Sequence, residues 1–194
     1  MMKNKHMALM LTLLLGGGLV SGNAGQIAAQ TVSERTERDF AKAVEAFDNG
    51  MYERAMTLFD DIVFRTGSVK AEGYSVLCQV KTGARGWENR MESFVSAHPS
   101  SELVPQLKFA LACKMFASGD YKNCVDVMNE LNIKHLRRSQ YSRFDFIYGF
   151  ALFSTGEYVK AAEHFQEILS RRKSSYTAPA AYTLGYIEYE DAEY

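Results

Sequence analysis

The residues that could carry out acid–base or nucleophilic chemistry do not form a recognisable catalytic arrangement. Acidic side chains occur together at Asp60-Asp61 and between Glu188 and Glu193, but no separate base or nucleophile accompanies either group. Paired carboxylates on an exposed helix are usually only solvated. The sequence also lacks GxSxG, HExxH and P-loop motifs. We therefore expect no enzymatic activity from this chain.

Metal and disulfide chemistry have little support in the sequence. The histidines outside the first residues have no ligand spacing, so we expect no metal and no cofactor. They are His98, His135 and His164. Cys78, Cys113 and Cys124 form no CxxC motif, and each lies in a segment that we interpret as helical, which predicts small buried filler. A Cys113–Cys124 or Cys78–Cys113 disulfide is the alternative in an oxidising compartment.

The composition is that of an ordinary folded domain. The 194 residues are 47% hydrophobic and 23% charged, and the formal net charge is −1. This balance offers no basic footprint for nucleic acid, so we expect no nucleic-acid partner. The short basic runs at Arg137-Arg138 and Arg171-Arg172-Lys173 are interpreted as solvated helix ends or loops.

Residues 1–30 have the layout of a secretory signal peptide. Lys3 and Lys5 precede an apolar run from Met7 to Val20, and small residues follow it. The run is shorter than the ~20 residues that cross a bilayer as a helix, so we predict cleavage near residue 30 and export to the periplasm or cell envelope. A retained membrane anchor is the alternative. No later segment is apolar enough to span a membrane, and no cysteine near the cleavage point would allow lipidation.

A glycine followed two residues later by a tyrosine occurs three times, each time before small and large apolar residues at helical spacing. The glycines are Gly50, Gly119 and Gly156. The small residues that follow are Ala55, Cys124 and Ala161, and the bulky residues after them are Phe59, Met128 and Phe165. Recurrence with the same offsets predicts an array of one helical unit, and arrays of this kind bind partners.

Each of these glycines follows a stretch with its own helical periodicity, so the unit is a helix, a tight turn and a second helix. The glycine supplies the left-handed conformation that ends the first helix, and the tyrosine opens the second. The distance between Gly50 and Gly119 leaves room for a degenerate unit, with Gly83 at its turn and Trp87 in its second helix. We place the units at about residues 36–67, 69–99, 101–134 and 138–173, with a partial unit at 175–194.

These units resemble tetratricopeptide repeats, in which a glycine, a tyrosine, a small residue and a bulky apolar residue recur in this order. The resemblance covers residues 34–194 and is weaker in the first helices, where the family's leucine-glycine pair appears only as Leu184-Gly185 and, with its leucine replaced, Tyr148-Gly149. It implies an all-α fold, a right-handed α-solenoid of antiparallel helix-turn-helix repeats. The segment His98-Pro99-Ser100-Ser101 is similar to a turn in exported cell-envelope members of the family.

Tetratricopeptide proteins usually bind extended peptides in a concave groove lined by the first helices, and the resemblance places Gln106, Cys113 and Arg143 there. The candidate partner-binding residues are aromatic: Phe109, Phe116, Phe146, Phe150, Phe153, Tyr182, Tyr186 and Tyr189. Such a stripe, without the lysines and asparagines with which some members clamp a C-terminal carboxylate, predicts an apolar or extended protein segment as the partner. The alternative is that neighbouring first helices bury these rings themselves.

The register puts Ala192 at the turn glycine and Tyr194 at the tyrosine of a fifth unit. Because half a unit leaves an apolar face uncovered, we expect the chain to be the N-terminal part of a longer protein, or to form an oligomer through the unfinished unit. The predicted function is a protein–protein interaction scaffold of the cell envelope. The alternative is the N-terminal repeat domain of a larger enzyme or regulator whose activity lies beyond residue 194.

Overall fold

The computed structural model describes the backbone of residues 20–192 and the side chains of residues 31–190. This part of the chain forms nine α-helices and no β-strand. The helices are α1 Val20–Asp48, α2 Tyr52–Thr66, α3 Val69–Thr82, α4 Trp87–Ala97, α5 Val104–Ala117, α6 Tyr121–Asn129, α7 Tyr141–Ser154, α8 Tyr158–Ser170 and α9 Thr177–Ala192. Short 3-10 turns at Ile133–His135 and Arg138–Gln140 connect α6 to α7.

The three glycine-tyrosine elements form the same turn. Gly50, Gly119 and Gly156 have φ values of 75°, 78° and 86°, in the left-handed region that glycine adopts without strain. The residue after each glycine donates its N–H to a carbonyl in the last turn of the first helix, with an N···O distance of 2.9 Å in all three copies. The second helices then begin at the tyrosines, which are Tyr52, Tyr121 and Tyr158.

The degenerate second unit differs from the others in its turn. Gly83 ends α3 with the same left-handed geometry, at φ 70°, but Gly86 also has a positive φ, of 80°, and α4 begins only at Trp87. The second helix therefore starts four residues after the turn glycine, instead of two as at Gly50. This longer connection explains why the glycine-tyrosine spacing is absent from this unit.

The small residues after each turn lie where the two helices of a unit approach closely. Ala55, Cys124 and Ala161 are all 0% exposed, and the Cys124 thiol donates a hydrogen bond to the Ala112 carbonyl at 3.4 Å. The bulky residues one turn further along are also 0% exposed; they are Phe59, Met128 and Phe165. Cys124 is thus buried filler, and all three cysteines are free thiols, without the disulfides considered as the alternative.

The two helices of each unit pack on each other, α2 packs on α3, α6 on α7 and α8 on α9, and α5 packs on α3 and on α7. The helices α3, α5 and α7 therefore form one layer, and the helices α4, α6 and α8 form a second layer against it. The buried residues form two clusters, one from α1 to α5 and one from α5 to α9. The clusters meet within α5, where Leu107 belongs to the first and Phe109 to the second.

The predicted leader lies largely outside the described residues. Residues 1–19 are not described, and residues 20–30 form the beginning of α1. In the part of the chain from residue 20 to residue 192, no helix combines the length and the apolar character needed to cross a bilayer.

Candidate partner-binding groove

A cavity of about 850 Å³ opens between the first helices of the units. Its walls come from α3, α5 and the start of α7, and the end of α1 and the connection between α6 and α7 complete the rim. Gln106, Cys113 and Arg143, which the family resemblance places in the groove, all line this cavity. The cavity therefore lies where the resemblance assigns the groove.

Seven charged side chains line the cavity. Five are basic and two are acidic: Lys70, Lys81, Lys114, Arg137, Arg143, Asp48 and Glu102. Both acids already have partners, since Asp48 binds Arg137 at 2.6 Å and Glu102 binds Lys70 at 2.7 Å. Arg137 also donates a hydrogen bond to the Tyr74 hydroxyl at 3.4 Å. The charge that remains in the cavity is positive.

The excess charge comes from Lys81, Lys114 and Arg143, which form no ion pair with any residue that the structure describes. The Lys81 ammonium lies 5.8 Å from the centroid of the Phe47 ring and 5.3 Å from that of Tyr52, within the range of a cation–π contact. Partial loss of hydration lowers the pKa of Lys81, and repulsion from the Arg143 cation lowers it further. Anions are the groups that would relieve this repulsion.

The sequence did not predict the lysines that line this cavity. The predicted groove considers the first helices of the other units and omits α3, the first helix of the degenerate second unit. Lys81 comes from α3, two residues before Gly83, and Lys114 comes from the last turn of α5. The position of Lys81, two residues before the turn glycine Gly83, was the sequence signal that could have revealed a lysine in this cavity.

Aromatic rings form a continuous cluster towards the C-terminal ends of α5 and α7. Phe150 is central: its ring centroid lies 5.6 Å from that of Phe116 and 6.1 Å from that of Phe153. Phe146 packs 5.2 Å from Tyr176, and Tyr186 of α9 packs 5.9 Å from Phe153. We call these six residues, together with Tyr121 and Tyr158, the aromatic cluster.

The eight candidate residues have different environments. Phe116, Phe146, Phe150 and Phe153 are half-buried, so each ring packs on its neighbours and remains partly accessible. Phe109 is 2% exposed and packs on Phe144 with a centroid distance of 5.9 Å, which makes it a core residue at the cavity wall. The α9 tyrosines are accessible: Tyr182 is 80% exposed, Tyr186 47% and Tyr189 59%.

Comparison with solved structures identifies the fold. A mutant of MamA is similar to this chain, with a TM-score of 0.58 and 17% sequence identity over 82% of this chain and 90% of that chain. This chain has the tetratricopeptide-repeat fold. A thermophilic TPR protein of Thermus thermophilus is also similar, with a TM-score of 0.47 and 16% identity over 70% of this chain and 73% of that chain. No protein-family model and no curated protein matches the sequence.

Within the tetratricopeptide-repeat fold, the adjacent acids Asp60 and Asp61 of α2 form separate polar contacts. Asp60 accepts hydrogen bonds from the Ser75 hydroxyl at 2.5 Å and from the Arg90 guanidinium at 2.8 Å. Asp61 pairs with Arg65 at 2.9 Å. Across the described residues, no group of three or more histidines, cysteines and acids is placed to hold a metal ion. We take the cavity between α3, α5 and α7 as the candidate binding site.

Proposed function

We propose that this protein is a non-catalytic scaffold of the cell envelope that holds an extended segment of a partner protein in its groove. The cavity of about 850 Å³ between α3, α5 and α7 carries this proposal. Rings on a rigid helical array suit an extended peptide, because they offer a large contact area and lose little rotamer freedom on binding.

The cavity and the aromatic cluster lie close enough to be occupied by one segment. On α5, Cys113 lines the cavity and Phe116 belongs to the aromatic cluster. On α7, Arg143 lines the cavity and Phe146 belongs to the aromatic cluster. Three residues of an α-helix rise about 4.5 Å, and an extended peptide advances about 3.3 Å per residue. A bound segment would therefore reach from one region to the other within a few residues.

Selection from a library of displayed random peptides would test the groove. Tyr186→Ala removes an exposed ring of the aromatic cluster, and Phe64→Ala removes a 90% exposed ring from α2, away from the groove. We expect Tyr186→Ala to weaken binding of the selected peptides about tenfold, as for an aromatic anchor of an interface, and Phe64→Ala to leave it unchanged. Equal effects of the two substitutions, or a library without binders, would contradict the proposal.

The envelope location depends on the leader and needs its own test. Residues 1–30, with Lys3, Lys5 and the apolar run that follows, would be fused to a reporter enzyme that becomes active only after export. We expect an active reporter, and an inactive one when residues 7–20 are deleted. An inactive reporter on the intact leader would contradict the envelope location without affecting the peptide-binding role.

A further inference from the structure

Three of the five cations that line the cavity come from different parts of the chain and interact electrostatically through Lys81. Lys81 is on α3, Arg143 is on α7, and Arg137 lies in the connection before α7; all three line the same cavity. Asp48 neutralises Arg137 in part, through a contact of 2.6 Å in which both side chains are 48% exposed. Lys81 and Arg143 have no acidic partner within residues 31–190. We call these three residues the cationic cluster.

Like charges that line one cavity repel one another, and a bound anion relieves this repulsion. The repulsion is reflected in the pKa of Lys81. Loss of hydration lowers this pKa, and the Arg143 and Arg137 cations lower it further. An anion between these side chains would gain from several charges at once and would restore the Lys81 pKa towards its ordinary value.

We propose that the cationic cluster binds side-chain carboxylates of the segment held in the groove, so that the partner segment carries Glu or Asp within a few residues of apolar or aromatic side chains. This inference rests on the proposed function, because it names the chemistry of the segment that occupies the groove. The acidic part of the segment lies against α3 and the start of α7, and its apolar part lies against Phe150 and the rest of the aromatic cluster.

A protein segment fits this cavity better than a nucleic acid does. The chain as a whole has a net charge of −1, without the excess of basic residues that is typical of nucleic-acid-binding domains. A few carboxylates on an otherwise apolar segment match a small group of cations beside a ring cluster.

The test uses two fluorescent peptides of about 12 residues, the length that spans roughly 40 Å when extended. The peptides share their aromatic residues and differ only in carrying Glu or Gln, and both ends are blocked so that only side-chain carboxylates differ. Binding is measured by fluorescence anisotropy. Occupancy of the groove is measured by protection of Cys113, which lines the cavity, from alkylation.

We expect the Glu peptide to protect Cys113 and to bind at least about tenfold more tightly than the Gln peptide. Raising the salt concentration should remove most of this difference, because mobile ions screen the charges. The double substitution Lys81→Gln with Arg143→Gln should also remove it. Lys122→Gln, which removes an exposed lysine of α6 that does not line the cavity, should leave it intact.

Each contrary result has a distinct meaning. Equal binding of both peptides with protection of Cys113 overturns the carboxylate inference and leaves the proposed function standing. Glu-dependent binding that does not protect Cys113 places the site elsewhere and overturns the inference. Binding of neither peptide also overturns it. The library selection decides the proposed function separately. Tighter binding of an oligouridylate than of the Glu peptide would assign the cationic cluster to nucleic acid. If the double variant does not fold, the salt titration of the unmodified protein still decides.

Discussion

Asp145 on α7 shows how this fold accommodates a buried charge. Its carboxylate is 3% exposed, receives a hydrogen bond from the Arg171 guanidinium, and lies 2.8 Å from Nδ1 of His164. Arg171 also contacts Glu167 at 3.2 Å, and its guanidinium lies 5.7 Å from the centroid of the Tyr141 ring. These contacts connect α7 to α8 and to the segment that follows it, so we interpret the group as structural.

Replacing Asp145 by asparagine keeps the shape and removes the charge. Arg171 would then lose a buried anionic partner, and we expect a loss of about 2–4 kcal/mol in the free energy of unfolding. Asp61→Asn is the matched control, because Asp61 also pairs with an arginine but is 60% exposed; it should cost less than about 1 kcal/mol. Urea titrations of the three proteins measure both values, and equal losses would mean that Asp145 is not an important buried anion.

The three thiols should differ in reactivity according to burial. Loss of hydration raises the pKa of Cys78 to about 12 and that of Cys124 to about 11, and both residues are 0% exposed. Burial also raises the pKa of Cys113, but this residue is only half-buried and lines the cavity.

Iodoacetamide should therefore modify the folded protein first at Cys113. The rate should rise about tenfold per pH unit while the pH remains below the pKa of Cys113, since the thiolate is the reactive form. Mass spectrometry of tryptic peptides identifies the modified site, and alkylation in denaturant, where all three thiols react, serves as the control. Early modification of Cys78 or Cys124 in the folded protein would contradict this picture of the groove.

At the scale of the helices, two glycines at equivalent positions of their units have opposite surroundings. A Cβ atom added at Gly149 of α7 would lie 3.1 Å from Cβ of His164 and 3.3 Å from the Ala161 carbonyl oxygen, because α8 packs closely there. A Cβ atom added at Gly185 of α9 would meet nothing within 4 Å. The same residue type therefore allows close packing in α7 and has no packing role among the described residues of α9.

The substitutions Gly149→Ala and Gly185→Ala should consequently have opposite effects on thermal stability. Gly149→Ala forces α7 and α8 apart, and we expect it to cost about 1–3 kcal/mol. Gly185→Ala adds a better helix former at an open position and should stabilise the protein by up to about 1 kcal/mol. Melting curves followed by circular dichroism compare the two variants, and a melting temperature raised by Gly149→Ala would show that the two helices are not so closely packed.

For the whole molecule, the array means that helices at the centre have neighbours on both sides. Helix α5 lies between α3 and α7 and contributes to both core clusters, whereas α9 packs mainly on α8 among the described residues. In a repeat array, stability comes from each unit and its nearest neighbours, so opening starts most easily at the ends.

Hydrogen exchange measured by mass spectrometry should reflect this arrangement. We expect the amides of α5 to exchange most slowly, and those of α9 and of residues 31–40 to exchange faster. Peptides from α3 provide an internal comparison, since this helix is also central and has the same length as α5, 14 residues. Protection of α9 equal to that of α5 would contradict a simple array and would indicate an additional contact on α9.

The sequence by itself determined the repeat and its register. A left-handed glycine, a helix that begins two residues later and a small residue at the closest approach are local features, and they recur with the same geometry at Gly50, Gly119 and Gly156. The burial of Ala55 and Ala161 follows from the same spacing. Local backbone chemistry and helical periodicity were sufficient for these predictions, and the degenerate turn at Gly83 was also located.

Only the tertiary structure decided the composition of the groove. Arg137 reaches Asp48 although 89 positions separate them, and Lys81 and Arg143 line the same cavity because α3, α5 and α7 pack as one layer. Phe109 belongs to the core because it packs on Phe144 of the next unit. Which side chains line a groove depends on how separate helices pack in space, and no spacing within a single helix contains that information.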